Sequence, residues 1–310
     1  MALGRELPHS FRDALNSARR ILSTRLDLVE KNLVETEAEQ IVMAASGFES
    51  RLELFSRQND RMPKEAAEKT IVLAMGRAEG RILQHLIGFQ HFLGHRYEVS
   101  PEVLVPRPET EFLVVTAIER LKAWGRIPNI GVEIGLGSGA ISIELLQAFP
   151  KLRMVASELS EKAEKVALRN FERICGQEAV KAKRLQVRRA MDPRHVWEPF
   201  GVNDHGEFLI SNPPYLLQED PVDEDVARHE PAEALYAPAE DALHFYRKIA
   251  ERGPRRLLAG AYAFLEMPAF RAVVIAKLFV DKGWEVEIVR DLAGRDRVLI
   301  ARKPEIGEID

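Results

Sequence analysis

Cysteine is nearly absent from this 310-residue chain: the one copy is Cys175. An internal disulfide and a thiolate-based zinc site are both excluded, and a reducing compartment is the expected setting. No apolar run approaches the roughly 18 residues needed to span a bilayer. Met1 to Phe11 is polar and charged and lacks the apolar segment of a secretion signal, so the expected location is the cytoplasm. Neither sign of charge is in large excess. The formal net charge of -4 argues against a protein that coats nucleic acid generally. A Walker A sequence and a nucleophile elbow are both missing, which removes the ATPase and serine-hydrolase readings.

What is present is enough chain for two domains. The first part reads as helical. Phe11, Leu15, Ala18, Leu22, Leu26, Val29 and Leu33 recur at spacings of three and four and predict one buried stripe, capped by Ser10 with Asp13. Thr36-x-x-Glu39 predicts a capping box for a second helix that ends at Gly47. A third, short helix is expected around Leu52, Leu54 and Phe55. Pro63 is expected to open a fourth, with Ala67, Ile71, Ala74, Met75 and Ala78 facing inward. From Ile82 to Val105 the aromatics and Val99 sit among Gly88, Gly94 and Pro101, which suggests a hairpin. His91 and His95 have a metal-compatible spacing, but in an extended segment without carboxylate partners no metal site is expected. The domain boundaries expected are a helical substrate-docking domain over 1–82, a hairpin linker over 83–106 and the main domain over 107–310.

From Ile130 the pattern alternates. Strands are expected at 130–134, 153–158, 184–188, 208–211, 260–265, 285–290 and 297–301, and helices at 139–149, 160–174, 239–252 and 267–282. Alternation of this kind predicts an α/β fold, a parallel sheet with helices on both faces. Asp291 to Asp296 is too short for a crossover helix, so the last two strands should pair antiparallel.

Two stretches carry chemistry. Glu133-Ile134-Gly135-Leu136-Gly137-Ser138-Gly139 lies where the first of these strands turns into its helix, and glycines there let backbone approach a ligand. Glu158 ends the second strand, where an acid can accept hydrogen bonds from ribose hydroxyls. The third glycine comes too early for a dinucleotide fingerprint, which favours S-adenosylmethionine over NAD. The other stretch is Asn212-Pro213-Pro214-Tyr215. The apolar run Phe208-Leu209-Ile210 stops there, and consecutive prolines stiffen the backbone and remove two N–H donors. An Asn amide, free carbonyls and a Tyr face could grip a planar group that carries an NH2, such as an amide or an amino-purine. In an open parallel sheet both turns fall at the carboxyl ends of the strands, where ligands bind.

Taken together these residues resemble the HemK/PrmC family, whose members methylate the glutamine of the GGQ motif in class 1 peptide chain release factors. The similarity runs from about Glu37 to the C-terminus. It includes Phe89-x-x-Phe92, Tyr97-x-Val99-x-Pro101, Leu104 to Glu111, the glycine loop, Asn212 to Tyr215, Arg228-x-Glu230-Pro231 and Asp291 to Arg297. The resemblance implies a Rossmann-like seven-stranded methyltransferase sheet with a small N-terminal helical domain and a connecting β-hairpin. It implies S-adenosylmethionine held by Glu133, Gly135, Leu136, Gly137, Ser138, Gly139, Glu158 and Asn212. Asn212, Pro213, Pro214 and Tyr215 would hold the substrate amide. Release factors would be the partner, with no membrane and no stable nucleic-acid binding. The chain departs from the family pattern with Glu79-Gly80-Arg81 before the hairpin, Glu266-Met267-Pro268 after the fifth strand, a lengthened stretch before Asn212 and about thirty extra N-terminal residues.

Three rival readings stay open at this stage: a ribosomal-protein glutamine methyltransferase, a DNA or RNA exocyclic-amino methyltransferase, and a non-catalytic binding module. The acidic run Glu219, Asp220, Asp223, Glu224 and Asp225 is expected to be a solvated loop. The basic cluster Lys181, Lys183, Arg184, Arg188 and Arg189 is expected to be a solvated edge.

Overall fold

The structure, a computed structural model, describes residues 7–192, 200, 205–238 and 241–303. Its chain divides into two compact units. The first is Met1–Phe89 with Glu224–His229, and the second is Gln90–Asp223 with Glu230–Asp310.

The first unit is helical: α1 (Phe11–Leu22), α2 (Leu26–Glu30), α3 (Val34–Ser46), α4 (Arg51–Ser56), α5 (Lys64–Ala78) and α6 (Leu83–Ile87). Ser10 and Asp13 form the expected capping box at the start of α1. The single stripe does not hold. Helix α1 stops at Ser23, and Leu26 and Val29 on α2 are exposed, so the spacing of three and four crosses a break. The second box fails as well. Helix α3 begins at Val34, ahead of Thr36, and its N-cap Leu33 offers no side-chain hydrogen bond. Gly47 does close α3, in the left-handed conformation. Of the α4 apolar residues only Leu54 is buried. Residues 83–87, expected as part of the hairpin, form α6 instead, ended by a left-handed Gly88. Two clusters fill this unit, one around Leu22, Leu28, Ile41 and Ala74 and the other around Phe11, Leu15, Val42 and Leu54.

Glu224–His229 joins this unit from far along the sequence: Asp225 is buried and pairs with Arg25 (2.9 Å) and Arg77 (2.7 Å), while Arg77 also pairs with Glu37 (2.8 Å). The acidic run is therefore not simply a solvated loop. Asp220, too, is held, by Arg271 at 2.8 Å.

The hairpin itself comprises β1 (Phe89–Phe92) and β2 (His95–Glu98). The remaining elements are α7 (Pro108–Ala123), β3 (Ile130–Ile134), α8 (Ala140–Ala148), β4 (Arg153–Glu158), α9 (Glu161–Lys181), β5 (Leu185–Arg189), β6 (Gly206–Ser211), α10 (Glu224–His229), α11 (Ala232–Leu235), α12 (His244–Arg252), β7 (Leu257–Glu266), α13 (Ala272–Val280), β8 (Glu285–Arg290) and β9 (Asp296–Arg302). Helix α9 runs past the expected end at 174 because Gly176, at φ 78°, joins two helical stretches across a kink. The lengthened stretch before Asn212 lies largely outside the described residues, as do 239 and 240 of the helix expected at 239–252.

One seven-stranded sheet has the order β5-β4-β3-β6-β7-β9-β8. Its first five strands are parallel, and β9 runs antiparallel to both β7 and β8. Along β6, Phe208 and Ile210 enter one core while Leu209 enters the other, so the strand is apolar on both faces. Leu113, Leu145 and Phe171 of α7, α8 and α9 cover the first face, and Phe245, Ile249, Ile275 and Phe279 of α12 and α13 cover the second. Each such side chain stabilises the fold by roughly 1.5–3 kcal/mol. The chain runs outward from β3 through β4 to β5, then returns to lay β6 on the other side of β3. The switch point therefore falls between β3 and β6, which is where an open α/β sheet forms its ligand crevice.

Of the basic cluster, Lys181, Lys183 and Arg189 are exposed, as expected of a solvated edge, and Arg184 and Arg188 are half-buried. Arg184 donates to the carbonyls of Leu146, Phe149 and Leu152, and Arg189 pairs with Glu161 and Glu164. His95 faces Glu144 at 2.8 Å, which also accepts from the Tyr97 hydroxyl.

Candidate active site

At the switch point a cleft opens, lined among others by Gly135, Gly137, Glu158, Asn212 and Pro214. The turn after β3 is pinned from beside it: the Ser157 carbonyl of β4 accepts from the Gly135 and Leu136 N–H groups, at 3.0 and 3.2 Å. Gly135 and Gly137 adopt φ 82° and 55°, which an L side chain resists, and a Cβ built on either meets no atom within 4 Å. Bare backbone therefore faces open cleft. Gly139 serves packing instead, since a Cβ there would crowd Ile143 and Ala167.

Glu158 sits at the end of β4 and is engaged by backbone on both sides. Its Oε2 accepts from the Gly137 N–H at 2.8 Å, and its Oε1 accepts from the Leu159 and Ser160 N–H groups at 2.8 and 2.9 Å. The carboxylate thus fastens the glycine turn to the start of α9. Burial pushes its carboxyl above the ordinary range, while these N–H groups pull the other way.

Glu133 lies under the turn rather than in the cleft lining. It is fully buried, the Ser142 hydroxyl donates to its Oε2, and its Oε1 has no partner among the described residues. Burial pushes this carboxyl up to about 8. Leu136 and Ser138 are buried too, and the Ser138 carbonyl accepts from the Asn170 amide at 3.0 Å.

Across the crevice, the parallel ladder between β3 and β6 last pairs Glu133 with Ile210. Beyond it the Ser211 hydroxyl donates to the Ile134 carbonyl at 2.6 Å and holds the two strand ends together. Asn212 follows directly and is half-buried, and its Nδ2 donates to the Thr110 hydroxyl at 3.2 Å. Pro213 is buried, Pro214 lines the cleft, and Tyr215 packs against the core beneath α12. Burial pushes the Tyr215 phenol up to about 12, so it stays protonated.

The structure thus brings Gly135, Gly137, Glu158, Asn212 and Pro214 around one cavity, while Glu133, Leu136, Ser138, Gly139, Pro213 and Tyr215 support that lining. Sequence reading missed the wall made by Val103, Leu104, Pro231 and Ala234. Glu230 builds that wall: fully buried, it accepts from the Val105 N–H at 3.0 Å and pairs with Arg107. The signal was available, because Arg107 and Glu230 stand in the two charged motifs flanking the cleft.

No family model matches the chain. Among curated proteins, the release factor glutamine methyltransferase of Bordetella pertussis is 33% identical over 275 residues, covering 87% of this chain and 96% of the relative. The protein of the same name from Neisseria gonorrhoeae is 30% identical over 272 residues, covering 87% and 94%. Among solved structures, a methyltransferase from Pyrococcus furiosus shares 20% identity with a TM-score of 0.50, over 74% of this chain and 99% of that one, which bears on the fold. With the relatives aligned over nearly their whole length, the chain belongs to the release factor glutamine methyltransferase family.

Proposed function

We propose that this protein transfers a methyl group from S-adenosylmethionine to the side-chain amide nitrogen of a glutamine, in the GGQ motif of class 1 peptide chain release factors. The observation that carries the reading is that Asn212 and the bare glycine turn line the same cleft. The names of the relatives point to the same substrate class. The residues present fit the donor. Gly135 and Gly137 leave backbone exposed toward the cavity, and Glu158 retains acceptor capacity beyond its three N–H bonds.

When bound, S-adenosylmethionine supplies an electrophilic methyl on a sulfonium. The chain's part is positioning. An amide nitrogen is a poor nucleophile because its lone pair is delocalised into the carbonyl. Asn212 Oδ1 and the Pro213 carbonyl would accept the two amide hydrogens, orient the nitrogen and disfavour the planar geometry. Such alignment can supply roughly 7–11 kcal/mol when near ideal. The same acceptors stabilise positive charge as it develops on nitrogen. The amide proton becomes acidic once the methyl has arrived and leaves to solvent, so no strong base is required.

The test offers methyl-labelled S-adenosylmethionine with a class 1 release factor, its Gln→Ala variant in the GGQ motif, a ribosomal protein, DNA and RNA in parallel. Label on the wild-type release factor alone is expected. Label on nucleic acid or on the ribosomal protein, with none on the release factor, would overturn the substrate assignment.

A further inference from the structure

An asparagine amide can present either its oxygen or its NH2 to a substrate, and only the oxygen can accept from a substrate amide. Something must therefore fix which way Asn212 points. Thr110, in the first turn of α7, is buried and, among the described residues, is the only group to which Asn212 Nδ2 donates, at 3.2 Å. The Thr110 hydroxyl in turn donates to Oε2 of Glu266, at 2.7 Å. Glu266 is the last residue of β7 and is also buried. A hydroxyl carries one hydrogen. An ionised carboxylate only accepts, so it takes that hydrogen and leaves Thr110 able only to accept from Asn212. Nδ2 is then the end of the amide that Thr110 requires, and Oδ1 is left for the cleft.

We infer that Thr110 and Glu266 are positioning residues that set the orientation of the Asn212 amide. The inference rests on the reading of Asn212 as the acceptor for the substrate amide.

The chain of bonds reverses if Glu266 gains a proton. A neutral Glu266 donates to Thr110, whose own hydrogen then turns toward Asn212 and calls for Oδ1 there. The NH2 would face the substrate, donor against donor. Burial pushes the Glu266 carboxyl up to about 7, with the Thr110 hydroxyl and the Arg297 and Arg107 guanidiniums pulling down and Glu109 pushing up. The other groups facing it are phenols: Tyr215, and Tyr246, whose hydroxyl donates to the Glu266 backbone carbonyl at 2.8 Å. Since burial pushes both phenols upward, they stay protonated through neutral pH.

Single-turnover methylation of a release factor at saturating S-adenosylmethionine, followed across pH, tests the inference. Wild type should lose rate as pH falls through about 7. Thr110→Val, close to isosteric, should lower the plateau rate roughly tenfold, the worth of one hydrogen bond. It should leave S-adenosylmethionine affinity unchanged and abolish the acid limb. Thr110→Ser should restore both rate and limb, and Glu266→Gln should lose the limb. Thr110→Val with the wild-type rate and an unchanged limb, beside an inactive Asn212→Ala, would overturn the inference while leaving the role of Asn212 intact. Asn212→Ala at the wild-type rate would remove that role, and the inference with it.

Discussion

Glu158→Gln separates the duty the structure shows for this acid, fastening the glycine turn, from the proposed one, holding S-adenosylmethionine. A carboxylate offers about four acceptor positions. Backbone N–H groups of Gly137, Leu159 and Ser160 occupy three of them, so about one remains for a ribose hydroxyl. In the Gln variant Oε1 can keep Leu159 and Ser160, but Nε2 then points hydrogens at the Gly137 N–H. Losing one charge-assisted bond to the ligand costs about 1.5–3 kcal/mol, and releasing the Gly137 anchor costs about 1 more. The sum of roughly 2.5–4 kcal/mol predicts an S-adenosylmethionine Kd raised about 70- to 1,000-fold. Calorimetry with S-adenosylmethionine and S-adenosylhomocysteine reads it directly, and the rate at saturating donor should change far less than the affinity. The pH dependence follows from the raised carboxyl. Wild-type affinity should fall as pH drops and the acid protonates, and the Gln variant should lose that dependence. A Gln variant that binds within about threefold of wild type, below the worth of a single such bond, would refute the reasoning.

Asn212→Ala should abolish methyl transfer while calorimetry still registers S-adenosylmethionine, since Glu158 and the glycine turn are untouched. Glu133 predicts a stability effect. Its folded carboxyl, pushed up from 4.5 to about 8, keeps a proton that the unfolded chain has released between those values. Stability from this group is full below about 4.5 and is lost as pH rises to about 8. Chemical denaturation of Glu133→Gln should therefore give a flatter profile and a gain of a few kcal/mol, at most about 5, at pH 8 and above; a profile parallel to wild type would contradict the burial argument. Arg77→Met should cost about 3–5 kcal/mol, because it leaves Glu37 and Asp225 buried beside each other without their shared cation. Thermal unfolding measures the loss, and proteolysis between 216 and 230 should accelerate.

The alternation of apolar strands with helices was legible because both faces of the parallel sheet are buried, which leaves unbroken runs such as Phe208-Leu209-Ile210. The end of β6 was legible for the same reason, since its apolar run gives way to Ser211 and Asn212. The helical unit was less so. Its apolar spacing continues through Leu26 and Val29 although the chain breaks after α1, because periodicity records which residues would share a face and not whether the backbone stays helical. Thr36-x-x-Glu39 matched a capping box only as a string. Glu39 is buried and its carboxylate pairs with Arg51 of α4 at 2.6 Å instead of capping α3. Membership of Asp225 in the first unit depends on partners about 150 and 200 positions away, a separation no local pattern can carry.

The cleft also shows why motif acids are easily misassigned. Glu158, Glu230 and Glu266 stand in or beside the stretches that sequence reading would connect with ligand, yet each spends its carboxylate on the frame. Glu158 holds the glycine turn, Glu230 holds Val105 and Arg107 in the wall, and Glu266 holds Thr110 behind Asn212. Bare loss of activity on substitution would look the same for all three. Their energetic signatures differ, because a group that shapes the donor cleft changes Kd and a group that orients the amide changes the rate at saturation. Glu230→Gln retains an acceptor for the Val105 N–H but loses its charge beside Arg107, so it should raise Kd with little change in that rate. Glu266→Gln should do the reverse.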